Sequence, residues 1–165
     1  MNEAIIKIWN DTVSPTDEVY IIGDVTFMTP QDAVNVLTRL NGTKYLVKGN
    51  HDNLEDPTVR AQYQWIKDYY ELNLDLGGKH KQRIVMCHYA FRVWNKSHHG
   101  AWNLYGHSHS SLPPIGKQLD VGIDATLKIH EWFGDSFGVV PFAPISLDQI
   151  KQIMDSVEFV SVDHH

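Results

Sequence analysis

The stretch from Glu18 to Asp52, EVYIIGDVTFMTPQDAVNVLTRLNGTKYLVKGNHD, decides the fold. Its opening run Glu18-Val19-Tyr20-Ile21-Ile22 is β-branched and aromatic and stops at Gly23-Asp24, the pattern of a short buried strand that delivers Asp24 at its C-terminal end. Thr29-Pro30 then reads as an N-cap followed by proline at the first helical position. Ala33, Val34, Val36, Leu37 and Leu40 make a helical stripe over residues 31–40, closed by Asn41-Gly42. Tyr45-Leu46-Val47 is a second strand, ending in Gly49-Asn50-His51-Asp52. Two strands joined by a helix, each ending in a polar loop, form a βαβ unit. Open parallel sheets bind their ligands at that edge.

Outward from this unit, Ala4, Ile5, Ile8 and Trp9 at helical spacing predict a first helix over 2–12, stopped by Pro15 and Asp17. Downstream, 57–67 reads as a helix. Residues 69–76 and 83–86 read as an antiparallel strand pair joined through Gly77-Gly78, with His88 leaving the second strand. Leu104-Tyr105 predicts a brief strand, 119–123 another, and 147–154 a C-terminal helix.

A chain of 165 residues is the size of one compact domain, taken as 1–161. Val162-Asp163-His164-His165 has the look of the start of a purification tag and is set aside. No apolar run approaches the ~18 residues of a membrane span. The first ten residues mix Glu3 and Lys7 among apolar ones, unlike a signal peptide. A single cysteine, Cys87, excludes an intramolecular disulfide and a cysteine-based zinc site; with the preceding points it makes the cytoplasm the expected compartment. A formal net charge of −6 argues against strong electrostatic nucleic-acid binding, so any preference for phosphate is expected to come from metal.

The polar loops carry the chemistry. Asp24, Asn50, His88, His107 and His109 supply carboxylate, amide and imidazole donors suited to manganese, iron or zinc. A carboxylate such as Asp24 can bridge two cations, and such a pair can activate water and clamp a phosphoryl group. In Gly106-His107-Ser108-His109 the imidazoles stand at i and i+2, which on an extended segment puts both on one side. Taken singly, Gly23-Asp24 is an ordinary turn, Asn50-His51-Asp52 a surface loop and His88 a core histidine. Their joint occurrence, in order and at strand ends, favours a site.

Gly23-Asp24, Gly49-Asn50-His51-Asp52, His88 and Gly106-His107-Ser108-His109 resemble four of the five signature blocks of the calcineurin-like metallophosphoesterases, in particular small bacterial and phage phosphoesterases. The resemblance implies an α/β fold of two packed β-sheets flanked by helices. It implies two divalent ions (Mn, Fe or Zn), with Asp24 as the bridge, Asn50, His88 and His107 completing one site, and His109 in the other. It also implies that His51, supported by Asp52, assists the leaving group. The activity implied is hydrolysis of a phosphate mono- or diester, on a small molecule or nucleotide, by metal-activated water.

The family's first block, an Asp-x-His ending the first strand, has no counterpart before Gly23, since Asp11-Thr12-Val13 and Asp17-Glu18-Val19 lack the histidine. The expectation is therefore a fold without its first strand, from a truncated or misassigned start, with a second metal left to Asp24 and His109 and an occupancy of one ion or two. An unpaired strand edge would favour a homodimer. The alternative function is an impaired phosphoesterase-fold protein acting as a binding or scaffold module.

Between His88 and Gly106, Arg92 is a candidate to grip a phosphate oxygen. His98 and His99 are further candidates for phosphate contact, expected to face opposite ways on an extended chain. Trp94 and Trp102 are candidate stacking faces. His80, His130, Asp120 and Asp124 read as surface residues.

Overall fold

The computed structural model describes residues 2–25, 27–160 and 162. Met1 and the proposed tag residues Asp163, His164 and His165 lie outside them. Among the described residues the order is α1 (Asn2–Thr12), β1 (Glu18–Ile21), α2 (Pro30–Leu37), β2 (Thr43–Val47), α3 (Pro57–Arg60), β3 (Ile66–Lys67), β4 (Tyr69–Leu74), β5 (Gln82–Cys87), β6 (Trp102–Tyr105), β7 (Gln118–Asp120), α4 (Thr126–Phe133) and α5 (Leu147–Ser156). The protein is α/β, with one three-stranded sheet ordered β1-β2-β3 and one four-stranded sheet ordered β4-β5-β6-β7. No described helix is long and apolar enough to cross a membrane.

The βαβ unit forms as its sequence dictates. Thr29 caps α2 by accepting the Asp32 N–H, and Pro30 opens the helix. β1 and β2 then pair in parallel, with Tyr20 opposite Tyr45 and Ile21 opposite Leu46. The helix ends at Leu37, short of the predicted Leu40, because Arg39 and Leu40 bond back to Val36 and Leu37 in tighter i→i−3 turns.

The helix expected over 57–67 is corrected to one turn, Pro57–Arg60, capped by Asp56. Beyond it the chain is captured by β2: Gln64 N–H donates to Lys44 O, and Leu46 N–H to Trp65 O. Ile66 and Lys67 thereby become a third parallel strand. Tertiary pairing outweighs the weak helical pattern of a segment containing Tyr63, Trp65 and Ile66.

β4 and β5 are antiparallel, with Tyr69 opposite Cys87. β5, β6 and β7 run parallel. The strand expected over 119–123 stops at Asp120, because the Asp120 carboxylate accepts the Gly122 N–H and turns the chain into α4, a helix with no counterpart in the sequence reading.

Two cores result. Ile6, Trp9, Ala33, Leu37, Leu46 and Val59 pack α1, α2 and α3 against the three-stranded sheet. Ile22, Val47, Met86, Leu104, Leu119 and Ile153 join the ends of both sheets to α4 and α5. Leu46 and Val47 are neighbours on β2, fully buried in different cores, as alternation along a strand requires. Lys117 secures α5 by donating from Nζ to the Met154 and Val157 carbonyls at its C-terminus.

Candidate metal centre

The loops after β1, β2, β5 and β6 converge where the two sheets meet. His88, leaving β5, is only 1% exposed. Its Nδ1 lies 2.9 Å from the Ile22 carbonyl oxygen at the end of β1. A carbonyl can only accept, so Nδ1 carries the ring proton and Nε2 is turned inward. Nε2 stands 3.1 Å from Asn50 Oδ1 and 3.2 Å from Asp24 Oδ2. Three electron-pair donors converging on one point need a cation between them, either a proton on Nε2 or a metal ion.

Asp24, His88 and His107 each offer a ligand atom, and these atoms lie within 4.8 Å of one another. The donor set is hard to borderline and graded from buried His88 to exposed His107, so it fits a divalent cation with an open side. The carbonyl-bound Nδ1–H of His88 is the usual support for a metal-ligating imidazole.

Glycine lets these groups meet. At Gly23, φ is +78° and a Cβ would fall 2.3 Å from His88 Nδ1. At Gly49 a Cβ would fall 2.2 Å from Asp24 Oδ1. Neither position accepts a side chain without moving a candidate ligand. Asp24, His107 and His109 themselves take positive φ values of 55°, 61° and 45°. Left-handed backbone at non-glycine residues is strained, and such strain clusters at functional sites.

Asp52 is a staple. Its carboxylate accepts N–H bonds from Asp24 (3.0 Å), Val25 (2.8 Å) and Gly49 (2.8 Å), tying the β1 and β2 loops together. Among the described residues it makes no hydrogen bond to the His51 ring; what it holds is the backbone of the two loops. His51 N–H donates to Asp24 Oδ1 at 2.8 Å, and the exposed His51 ring packs 5.2 Å from Phe27, which is 76% exposed. On the other flank, Tyr89 meets the His107 ring at 4.7 Å.

The extended reading of 107–109 is corrected. With both histidines left-handed, alternation no longer applies. His107 turns to Asp24 and His88, while His109 Nδ1 lies 2.5 Å from Asp124 Oδ2. The Asp124 hydrogen bond, then its charge, raises the His109 pKa above the ordinary imidazole value, with Asp120 and Asp24 adding smaller contributions. Asp120, expected on the surface, is 1% exposed and accepts the Ser110 and Gly122 N–H groups. Burial pushes its carboxyl pKa up against those two bonds.

His98 and His99 are corrected as well. They occupy a 3-10 turn, Ser97–His99, with ring centroids 4.1 Å apart instead of on opposite sides. The charge of His98 is the main reason that the His99 pKa is lowered. Neither ring belongs to the Asp24 group. Arg92 is exposed and engages no acceptor among the described residues. Trp102 is 4% exposed and packs in the core, so it is no open stacking face, while Trp94 is partly buried and donates from Nε1 to Ala101 O. His130 is partly buried, with Nε2 2.9 Å from Val139 O.

Lys48, Phe27 and Asp124 escaped the sequence reading. Lys48 lines an open polar depression with Asn50, His51, Asp52, Glu55 and Arg60, and forms no salt bridge among the described residues. A cation one residue before Gly49-Asn50-His51-Asp52 was the available signal. Asp124 had none.

No family model matches the chain. It is 23% identical over 169 residues to the uncharacterized protein MJ1445 of Methanocaldococcus jannaschii, covering 97% of this chain and 78% of that one. It is 24% identical over 180 residues to the gene 66 protein of Mycobacterium phage D29, covering 93% and 83%. The crystal structure of the protein of unknown function AQ665 from Aquifex aeolicus aligns with a TM-score of 0.48 and 21% identity, over 64% of this chain and 63% of that chain.

Proposed function

We propose that this chain is a divalent-metal-dependent phosphoesterase of the calcineurin-like type, hydrolysing a phosphate mono- or diester. The observation that carries the reading is His88, held by Ile22 O so that Nε2 meets Asn50 Oδ1 and Asp24 Oδ2, with His107 beside them. These are the residues that the sequence resemblance implies as one metal site, here converging from four separate loops.

Asp24, Asn50, His88 and His107 would hold the cation, which when bound supplies Lewis-acid polarisation of a phosphoryl oxygen and a lowered pKa for water. The chain's own groups do the rest. Asp52 fixes the two loops, and the Asp24 bond to His51 N–H holds the His51 ring at the rim. From there the ring can give a proton to the departing oxygen. Lys48 is a cation in the adjoining depression for a substrate phosphate to meet, with Asp52 and Glu55 on the same lining.

The test is Mn²⁺ binding by calorimetry together with hydrolysis of p-nitrophenyl phosphate and bis(p-nitrophenyl) phosphate, for the wild type and His51→Ala. The expected result is Mn²⁺-dependent turnover that falls 10²- to 10⁴-fold in the variant with metal affinity retained. A chain that binds no Mn²⁺ and hydrolyses neither ester overturns the reading in favour of a binding module.

A further inference from the structure

We propose that Phe27 is a specificity residue for the leaving group, selecting phosphoesters whose departing oxygen carries a planar ring. The inference rests on the phosphoesterase reading above and deepens it by naming a substrate class.

Phe27 is 76% exposed, the most exposed large apolar side chain among the described residues. Its ring nevertheless has a defined neighbour: the centroid lies 5.2 Å from that of His51, with the planes inclined at 54°. The backbone on either side is tied down. Val25 N–H donates to Asp52 Oδ1 at 2.8 Å, and Thr29 caps α2 by accepting the Asp32 N–H. Between these ties the half-buried Met28 lines a small cavity with Ala33, Val59 and Tyr63, while Phe27 is left outside it in solvent. An apolar ring held in water gains free energy when another ring covers it.

The position decides what would cover it. In the proposed hydrolysis, water adds to phosphorus as the bond to the leaving oxygen breaks. That oxygen keeps the bonding pair and takes a proton from His51, and the proton released by the water replaces it. The group attached to the leaving oxygen therefore departs from within hydrogen-bond reach of His51, the ring against which Phe27 packs. Aromatic pairs prefer centroids about 4.5–7 Å apart, so a ring on or next to the leaving oxygen comes within range of Phe27, and a small aliphatic alcohol leaves it uncovered. Phe27 does not line the polar depression that His51 shares with Lys48, Asp52 and Glu55, so the apolar border of His51 is separate from the charged one.

Two readouts test this in the full chain with Mn²⁺. Calorimetry compares benzylphosphonate with ethylphosphonate, unhydrolysable isosteres of phenyl phosphate and methyl phosphate. Phe27→Ala should weaken benzylphosphonate about 5- to 10-fold and change ethylphosphonate by less than about twofold, with Phe27→Tyr restoring the wild-type affinity. The retained ethylphosphonate affinity shows that the exposed substitution has left the fold intact. Phosphate release then compares phenyl phosphate with glycerol 3-phosphate: Phe27→Ala should lower kcat/KM for the first by a similar factor and spare the second. Equal losses on both members of either pair, or no loss on benzylphosphonate, overturn the specificity role alone. A wild type that binds no Mn²⁺ and hydrolyses neither ester overturns the phosphoesterase reading, and the leaving-group role with it.

Discussion

The hydrogen bond between His88 Nδ1 and the Ile22 carbonyl joins the four-stranded sheet to the end of β1 in the three-stranded one, and selects which His88 nitrogen meets Asp24. On the proposed metal reading, cation binding and the docking of the two sheets would be coupled. Mn²⁺ at a hundredfold its Kd should stabilise the fold by about 2.7 kcal/mol in urea denaturation. Asp24→Asn should remove most of that gain. Equal Mn²⁺ stabilisation of both proteins would refute the site.

Gly23 is the least replaceable residue of the centre. Gly23→Ala should cost about 2–4 kcal/mol, from left-handed strain plus displacement of His88, and should weaken Mn²⁺ binding at least tenfold. Gly100, with φ +81° and open space where a Cβ would go, is the control. Gly100→Ala should cost only about 1 kcal/mol in thermal denaturation and leave Mn²⁺ binding intact.

Asp52→Asn should destabilise the fold by about 1–3 kcal/mol, since an amide presents one acceptor oxygen to the three N–H groups that the carboxylate now serves. Turnover should fall with stability. If Asp52 instead acted by direct contact with the His51 ring, turnover would drop while urea midpoints stayed at the wild-type value.

Glu71, away from the centre, sets an acid dependence. The Tyr69 hydroxyl, then the Asn95 amide and Arg83, hold its carboxyl below the ordinary range against a modest burial penalty. A depressed carboxyl pKa contributes stability that is present above the unfolded value, near about 4.3, and is lost as pH falls through the folded value. Glu71→Gln should therefore cost about 1–2 kcal/mol at neutral pH and match the wild type in strong acid, read from urea midpoints across pH.

The βαβ unit was legible because Val19 to Ile22, the Thr29-Pro30 cap and Tyr45 to Val47 are local signals that agree with their tertiary surroundings. β3 was not, because Ile66-Lys67 is a strand only through its pairing with β2, a contact with no local code. The candidate ligands could be found as residue types at strand ends. Their orientation could not, since the positive φ of His107 and His109 sends two rings at i and i+2 to different partners. Asp120 and Asp124 looked like surface acids because their partners lie ten and fifteen residues back in the chain.

The strand that carries Leu46 into one core and Val47 into the other also ends three residues before Asn50, with Lys48-Gly49 between. Opening β2 means melting both cores at once, so its amides should be among the last to exchange with solvent deuterium. On the proposed metal reading, the centre is then anchored on that slowly exchanging segment, and a cation would enter and leave on the exposed His107 side.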